Sequence, residues 1–334
     1  MSALRAGIAG FGIAGEVFHA PLIDAVDGIE VAGVVTTDPE RQARARSAYP
    51  DASVVADIDE LWDAIDVLVV AAPNRAHVAL GLQAVERGVA VVVDKPLAPT
   101  AEDGERLIDA AEAAGVKLTV FQNRRLDGDF LTLRGMLERG ELGAVTRFES
   151  RFERFRPQVG EGWRERGDAA EGGGLLLDLG AHLVDQARVL FGHPLRVYAE
   201  LDTRRPGAQV EDDVFVALHH HGGVISHLWM SAVAPLRGPR FRVSGLERGF
   251  ASDGLDPQED QLAGGLRPGD PGYGESGDLL RGSYERFYEG VRDWLHDDAP
   301  MPVDPRDSLA CMRVLEVARR SAETHSVIEL EGQT

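Results

Sequence analysis

From Leu4 to Gln122 short apolar runs alternate with stretches of helical periodicity, a pattern that predicts β-α-β units around a parallel sheet. Six runs qualify as strands: Leu4 to Ala9, Ile29 to Val35, Ala52 to Val55, Val67 to Ala71, Val89 to Val93 and Val116 to Phe121. Several are rich in Val and apolar on both faces, as strands covered by helices on each side must be. Helix signals stand between them. Asp38 precedes Pro39, Asn74 opens a helix that Gly88 closes, and Thr100 with Asp103 opens one that Gly115 closes. The predicted architecture is a doubly wound α/β sheet over residues 1–122.

After Gln122 the texture changes, and residues 123–334 read as a second domain. A helix is expected over Phe130 to Arg139, then a strand over Ala144 to Phe155 with one wet face. Glycines at Gly172 to Gly174 lead into a helical run that ends at Phe191. Strands are expected at Leu195 to Arg204, Asp213 to His219 and Val224 to Ala232, the last two joined by a hairpin turn at His221, Gly222 and Gly223. Gly254 to Gly277, rich in glycine, proline and acid, reads as a long surface loop and a candidate for movement over a site. Helices over Ser283 to His296 and Arg306 to Glu323 follow.

Charge and cysteine usage then narrow the function classes. The 334 residues carry 35 basic and 55 acidic side chains, a formal net charge of −20. A phosphate backbone is held by clustered Lys and Arg, so this balance argues against nucleic acid as a partner. No run reaches the roughly 18 consecutive apolar residues of a membrane helix. The single Cys311 asks for no oxidising compartment, and the first residues lack the pattern of a secretory signal, so a soluble, cytoplasmic protein is expected.

The strongest local signal is Gly10-Phe11-Gly12-Ile13-Ala14-Gly15, a G-x-G-x-x-G between the first strand and a helix. Such glycines permit a tight turn, close approach of backbone to a pyrophosphate, and close packing of helix on strand. The helix N-terminus adds amide donors and partial positive charge. An NAD-binding unit usually carries an acid about 20 residues further on, at the end of its second strand. Here that strand ends in Thr36-Thr37, which does not repel a 2′-phosphate, and Arg41 with Arg44 offers it a cation. NADP is therefore favoured over NAD, although Asp38 is an alternative partner for the ribose and the arginines also suit a solvated helix face.

Two further segments fall at carboxyl ends of strands, where doubly wound sheets place their ligands: Ala72-Pro73-Asn74 with His77, and Asp94-Lys95-Pro96. Lys95 is placed to reach a nicotinamide or its substrate, or simply to be solvated. In the second domain Asp178 and His182 stand at i, i+4 and would share one helix face. A common ligand, a metal lacking an evident third ligand, and a helix cap beside a satisfied histidine all fit that spacing. His219-His220-His221 is expected to owe its shape to a strand that alternates faces before a turn, and no metal is assigned.

Together these motifs resemble the glucose-fructose oxidoreductase, inositol dehydrogenase and rhizopine-catabolism family, the Gfo/Idh/MocA oxidoreductases, over nearly the whole chain. The run Val120-Phe121-Gln122-Asn123-Arg124-Arg125 and the segment Gly172 to Gly192 look most like the branch of NADP-preferring scyllo-inositol dehydrogenases. The resemblance implies a Rossmann domain and an α+β domain with a largely antiparallel open sheet, whose exposed face makes a homodimer or homotetramer, with the active site in the cleft between the domains. It implies that Lys95, Asp178 and His182 are the catalytic lysine, aspartate and histidine. Two departures stand out: Asp94 replaces the family's usual Glu, and Thr36 replaces its common ribose-binding acid. Cofactor-binding candidates are Gly10, Phe11, Gly12, Ile13, Gly15, Thr36, Thr37, Arg41, Ala72, Pro73, Asn74, His77, Asp94, Lys95 and Pro96.

Hydride chemistry on an alcohol needs an acceptor for the hydroxyl proton and a cation for the developing alkoxide. His182 suits the first role with Asp178 orienting it, and Lys95 suits the second, with exchange of the acid and base roles between them. Asn123, Arg124 and Trp163 are candidate walls for a neutral polyol or sugar, each equally suited to packing or an ion pair. Dihydrodiol dehydrogenase, imine or biliverdin-type reductase, and a non-catalytic NADP-binding sensor remain as alternatives.

Overall fold

The computed structural model describes residues 2–160 and 173–330. The six apolar runs form β1 (Leu4–Ala9), β2 (Ile29–Val35), β3 (Ser53–Val55), β4 (Val67–Val70), β5 (Ala90–Asp94) and β6 (Leu118–Phe121), in the order β3-β2-β1-β4-β5-β6. Every neighbouring pair is parallel. Strand order reverses at β1, and the carboxyl ends around such a switch point are where a doubly wound sheet binds its ligand. Val67, Leu68, Val69 and Val70 are all buried, which explains why this strand shows no apolar-polar alternation.

Helices α1 (Ala20–Asp24), α2 (Pro39–Ala48), α3 (His77–Glu86) and α4 (Ala101–Ala114) connect these strands. Asp38 caps α2 by accepting from the backbone N–H of Glu40 at 2.9 Å and Arg41 at 3.2 Å. Gly88 and Gly115 follow α3 and α4 at φ +71° and +66°, a conformation that closes a helix at little cost only for glycine. Asn74 lies one turn earlier than expected: it starts a 3₁₀ turn, Asn74–Ala76, and α3 begins after it.

The chain divides into two compact units, and the cut is not a single point at 122/123. The first unit takes Met1–Ala98, Glu102–Gly128 and Asp256–Arg306. Its core joins Ile8, Leu22, Val34 and Val69 to Tyr273, Tyr284, Phe287, Tyr288 and Val291 from the later segment. The segment expected to be a surface loop is therefore partly core. It contains α8 (Gln258–Ala263), and Gln258, Leu262 and Tyr273 are buried, because Asp256 accepts from the Gly128 N–H at 2.7 Å and ties the segment down. Helix α9 (Glu285–Asp297) follows it.

The second unit takes Pro99–Ala101, Asp129–Leu255 and Asp307–Thr334. Its sheet comprises β7 (Val145–Glu153), β8 (Pro194–Asp202), β9 (Asp213–His220), β10 (Ile225–Ser231), β11 (Phe241–Gly245), β12 (Gly249–Ser252) and β13 (Ile328–Glu329), in the order β12-β11-β7-β10-β9-β8-β13. All pairs are antiparallel except β7 with β10. The outer strands β12, β11 and β13 carry short and partly polar sequences that the hydrophobic pattern does not mark as strands. Helices α5 (Gly128–Glu138), α6 (Leu175–Asp178), α7 (Gly180–Phe191) and α10 (Pro305–Thr324) share a core with the inward residues Phe148, Val216 and Leu228 of the sheet.

His219-His220-His221 behaves as a strand end before a turn. His220 is buried, with Nδ1 at 2.9 Å from the Gly192 carbonyl and Nε2 at 2.9 Å from Ser226 Oγ. Among the described residues no group of His, Cys, Asp and Glu is arranged to hold a metal ion, and no helix is long and apolar enough to cross a membrane.

Candidate functional site

In the first unit the glycine turn is shaped by close backbone contacts. Gly10 has φ +100°, and a Cβ there would stand 2.7 Å from the Ala71 carbonyl oxygen. A Cβ on Gly15 would overlap the Gly10 carbonyl oxygen, so the helix sits directly on the strand end. Ile13 is 67% exposed at the turn, whereas the Phe11 side chain is buried and meets the ring of Tyr49 edge-on. Phe11 thus offers only backbone to a ligand. The turn fits a pyrophosphate: Gly12 leaves space that a side chain would fill, with Arg41 beside it, and helical N–H groups follow.

The adenosine end of the site is equally legible. Thr36 is buried at the end of β2 and Thr37 is exposed. Arg41 lies beside the turn, its Nη1 3.7 Å from where a Cβ of Gly12 would stand. Asp38 is committed to capping α2, and the Arg41 N–H that it accepts holds its carboxyl below the usual carboxylate range. Arg44 is occupied by Glu16, with contacts of 2.6 and 3.0 Å. Of the two arginines expected near a 2′-phosphate, Arg41 is the one at the glycine turn.

The segments after β4 and β5 meet through His77. Its Nε2 lies 2.9 Å from the Ala72 carbonyl and its Nδ1 lies 2.8 Å from the Pro96 carbonyl. Ala72 is half-buried, Pro73 is exposed, Asn74 is buried, and the Lys95-Pro96 peptide is cis. Asp94 and Lys95 are half-buried at the end of β5. Burial pushes the Asp94 carboxyl up, but His19, Lys95 and His77 more than offset this and hold it below its ordinary value.

Sequence reasoning missed His19. It is fully buried, pairs through Nδ1 with the Tyr288 hydroxyl at 2.6 Å, and turns Nε2 toward Asp94 Oδ1 at 3.6 Å. The available signal was a histidine inside the apolar run Val17-Phe18-His19-Ala20-Pro21-Leu22, a position where a polar side chain needs partners. Tyr288 lies 269 residues away, and no local pattern announces it.

Asn123 and Arg124 are buried in a 3₁₀ turn, Asn123–Leu126. Arg124 donates to the Tyr284 hydroxyl at 2.8 Å, pairs with Glu259 and lies 3.6 Å from Asp127. The ion pair is one of the roles the sequence allowed it. Trp163 and Gly172 lie outside the described residues.

In the second unit Asp178 and His182 are not on one continuous helix. Asp178 ends α6 and His182 lies in α7, with Leu179 between the two helices. The His182 N–H bonds the Leu179 carbonyl at 3.0 Å, a shortened turn in place of the bond to Asp178 that uniform α-helical spacing assumes. Glu211 organises the start of α6: its carboxylate accepts from the Leu176 N–H at 3.3 Å and pairs with Arg319 at 3.0 Å. Gly174 has φ +95°, and a Cβ there would overlap that carboxylate, so the glycine before α6 has a steric reason.

His182 is 5% exposed and stacks on Phe152, with ring centroids 6.5 Å apart. Arg240 covers the same phenyl ring at 5.0 Å and donates to Gln186 Oε1 at 2.8 Å. Neither Arg240 nor Gln186 was marked by the sequence, because they stand 54 residues apart and meet only in the folded chain.

Comparisons with known proteins agree with this fold and nucleotide turn. Residues 4–122 match the model of an oxidoreductase family with an NAD-binding Rossmann fold, and residues 130–251 match the GFO/IDH/MocA C-terminal domain. The chain is therefore an oxidoreductase of the Gfo/Idh/MocA family. It is 32% identical to scyllo-inositol 2-dehydrogenase (NADP(+)) IolW of Bacillus subtilis, over 98% of this chain and 96% of the relative. It is 37% identical to the uncharacterised oxidoreductase YdgJ of Escherichia coli, over 97% and 98% respectively. Among solved structures, yvaA of Bacillus subtilis superposes with a TM-score of 0.93 at 32% identity, covering 99% of each chain.

Proposed function

We propose that this enzyme transfers a hydride between NADP and a secondary alcohol of a neutral polyol or sugar, inositol-like or aldose, with NAD as the alternative nucleotide. The observation that carries the reading is the carboxyl edge of the parallel sheet, where an open glycine turn, Arg41 beside it, Thr36 in place of a carboxylate and Lys95 at the end of β5 belong to one unit. The full-length similarity to a relative named for scyllo-inositol and NADP(+) supports both substrate class and nucleotide.

When bound, the nicotinamide supplies the hydride acceptor for the alcohol carbon. The remaining work falls to the chain. His182 takes the hydroxyl proton, and Asp178 orients it or stabilises its charged form. Lys95 donates a hydrogen bond to the reacting oxygen and stabilises the negative charge that grows there. In the reductive direction the same groups return the proton. Ala72, Pro73, Asn74 and His77 line the nucleotide side, and Asn123, Arg124 and Trp163 are wall residues for the polyol. A reducing, cytoplasmic setting suits the buried Cys311.

A homodimer or homotetramer through the outward face of the second sheet belongs to the same proposal. Phe215, His227 and Trp229 stand on alternate positions of that face, with Arg151 4.0 Å above the Trp229 ring. Light scattering at the exit of a sizing column measures this directly.

The test of the function is fluorescence titration with NADPH and NADH, followed by a screen of inositols, aldoses and dihydrodiols. Tight NADPH binding with turnover of one polyol supports the reading, and turnover of dihydrodiols alone replaces the substrate class. Nucleotide binding without turnover of any alcohol favours the sensor. Lys95→Met is expected to keep nucleotide binding and lower kcat roughly a hundred- to ten-thousandfold; near-normal turnover removes Lys95 from the chemistry.

A further inference from the structure

Four groups from separated parts of the first unit converge on the turn that carries Lys95. His19 follows the glycine turn, Asp94 ends β5, Phe121 ends β6 and Tyr288 lies in α9. His19 and Tyr288 are fully buried, with the imidazole Nδ1 2.6 Å from the phenol oxygen. Phe121 lies against the imidazole at 4.5 Å between centroids, and Tyr288 meets it edge-on. These contacts leave the ring one orientation, in which Nε2 faces Asp94 Oδ1 at 3.6 Å.

The local backbone explains how a histidine reaches this place. Ala14–His19 is a π-helical turn, closed by the Ala20 N–H bonding the Gly15 carbonyl five residues back. Pro21 follows at the start of α1 and has no N–H to continue an α-helical ladder, and its ring crowds the preceding turn. Widening that turn relieves the crowding and swings His19 to the inner face, and such insertions recur at functional sites. One end of this turn is therefore the pyrophosphate cradle, and the other end is a side chain aimed at the residue before Lys95.

We propose that His19, held by Tyr288, is a positioning residue that sets Asp94 and with it the turn on which the next residue, Lys95, stands, so that the nucleotide-binding helix and the catalytic lysine are set by one buried link. The proton inventory is consistent with it. Burial, reinforced by Asp94, raises the Tyr288 phenol well above its ordinary value, so the hydroxyl keeps its proton, and the proposed link is the one in which it donates that proton to Nδ1. In that tautomer Nε2–H points at Asp94 Oδ1, 3.6 Å away. An ion-dipole contact at 3.6 Å in a buried setting is weaker than a hydrogen bond but directional, which is what positioning requires. Arginine dominates the basic residues of this chain, and Lys95 and Lys117 are its only lysines. Lys117 is held apart from this cluster by Asp298 at 2.6 Å, so it serves as an internal reference.

The inference rests on the proposed role of Lys95, and its test reads the lysine without relying on turnover. Acetic anhydride at limiting concentration labels both lysines, and mass spectrometry gives the ratio of Lys95 to Lys117. Lys95 directly follows the residue that His19 faces, so His19→Leu is expected to shift that ratio about threefold or more. Tyr288→Phe, which keeps the ring and removes only the hydroxyl, should move it the same way by less. His19→Gln, which returns an N–H toward Asp94, should restore part of the difference.

With a substrate in hand, His19→Leu should lower kcat roughly ten- to a hundredfold while KM and NADPH binding stay near wild type. An unchanged labelling ratio in a folded His19→Leu or Tyr288→Phe protein overturns the proposal, and if the leucine variant fails to fold the phenylalanine variant decides. Should the wild type act on no alcohol, the dehydrogenase reading fails on its own, and the labelling ratio still settles this one.

Discussion

One imidazole ties together the two segments that follow β4 and β5: His77 places Nε2 2.9 Å from the Ala72 carbonyl and Nδ1 2.8 Å from the Pro96 carbonyl. Burial pushes its pKa down, while Asp94 and the two carbonyls act in the other direction. His77→Phe fills similar space and donates to neither oxygen. A neutral imidazole carries one N–H, so the substitution leaves one carbonyl without its donor, at an expected cost of about 1–3 kcal/mol, seen as a lower urea midpoint, with weaker NADPH binding in titration. A variant with wild-type midpoint and affinity would show that the two segments hold their shape without it.

Under the proposed function, nucleotide preference turns on Thr36 and Arg41. Thr36→Asp places a carboxylate where a 2′-phosphate would lie, so NADPH affinity should fall about tenfold or more while NADH affinity holds or improves. Arg41→Ala should weaken NADPH alone. Parallel fluorescence titrations with both nucleotides decide it, and equal losses for the two would place Arg41 away from the phosphate.

Glu211 joins α6 to α10 through the Leu176 N–H and Arg319. Glu211→Gln keeps the shape and removes the charge, with an expected destabilisation of about 1–3 kcal/mol in urea unfolding. Gly174→Ala should be the more damaging change, since it forces both an unfavourable φ and overlap with the Glu211 carboxylate.

Acid should weaken the second unit through His220. Burial lowers its pKa from 6.5 to about 4. Between those values the unfolded chain binds a proton that the folded one does not, so stability falls as pH drops through that window and is intact above it. The contribution is at most roughly 3 kcal/mol. His220→Gln should flatten the pH dependence of the urea midpoint between pH 6.5 and 4, and an unchanged slope would assign the acid sensitivity elsewhere.

The sequence by itself determined the parallel sheet, because β4 and β6 throughout, and β1 and β5 over most of their length, are short apolar runs buried on both faces, and burial of that kind is written in composition alone. It determined the nucleotide turn for a related reason: Gly10 and Gly15 meet backbone at distances that exclude any side chain, and such exclusion selects glycine at fixed spacing. Asp38 and the glycines after α3 and α4 were equally legible, since capping is local chemistry. Tertiary structure alone decided the rest. Tyr273, Tyr284 and Tyr288 return from late in the chain to complete the first core, which is why a glycine-rich stretch that looked like an open loop is anchored. The Asp178-His182 spacing concealed a break at Leu179. The His19-Tyr288 contact spans 269 residues, and a contact of that reach leaves no periodicity to read: it exists only once the helix that carries each residue has packed against the same sheet.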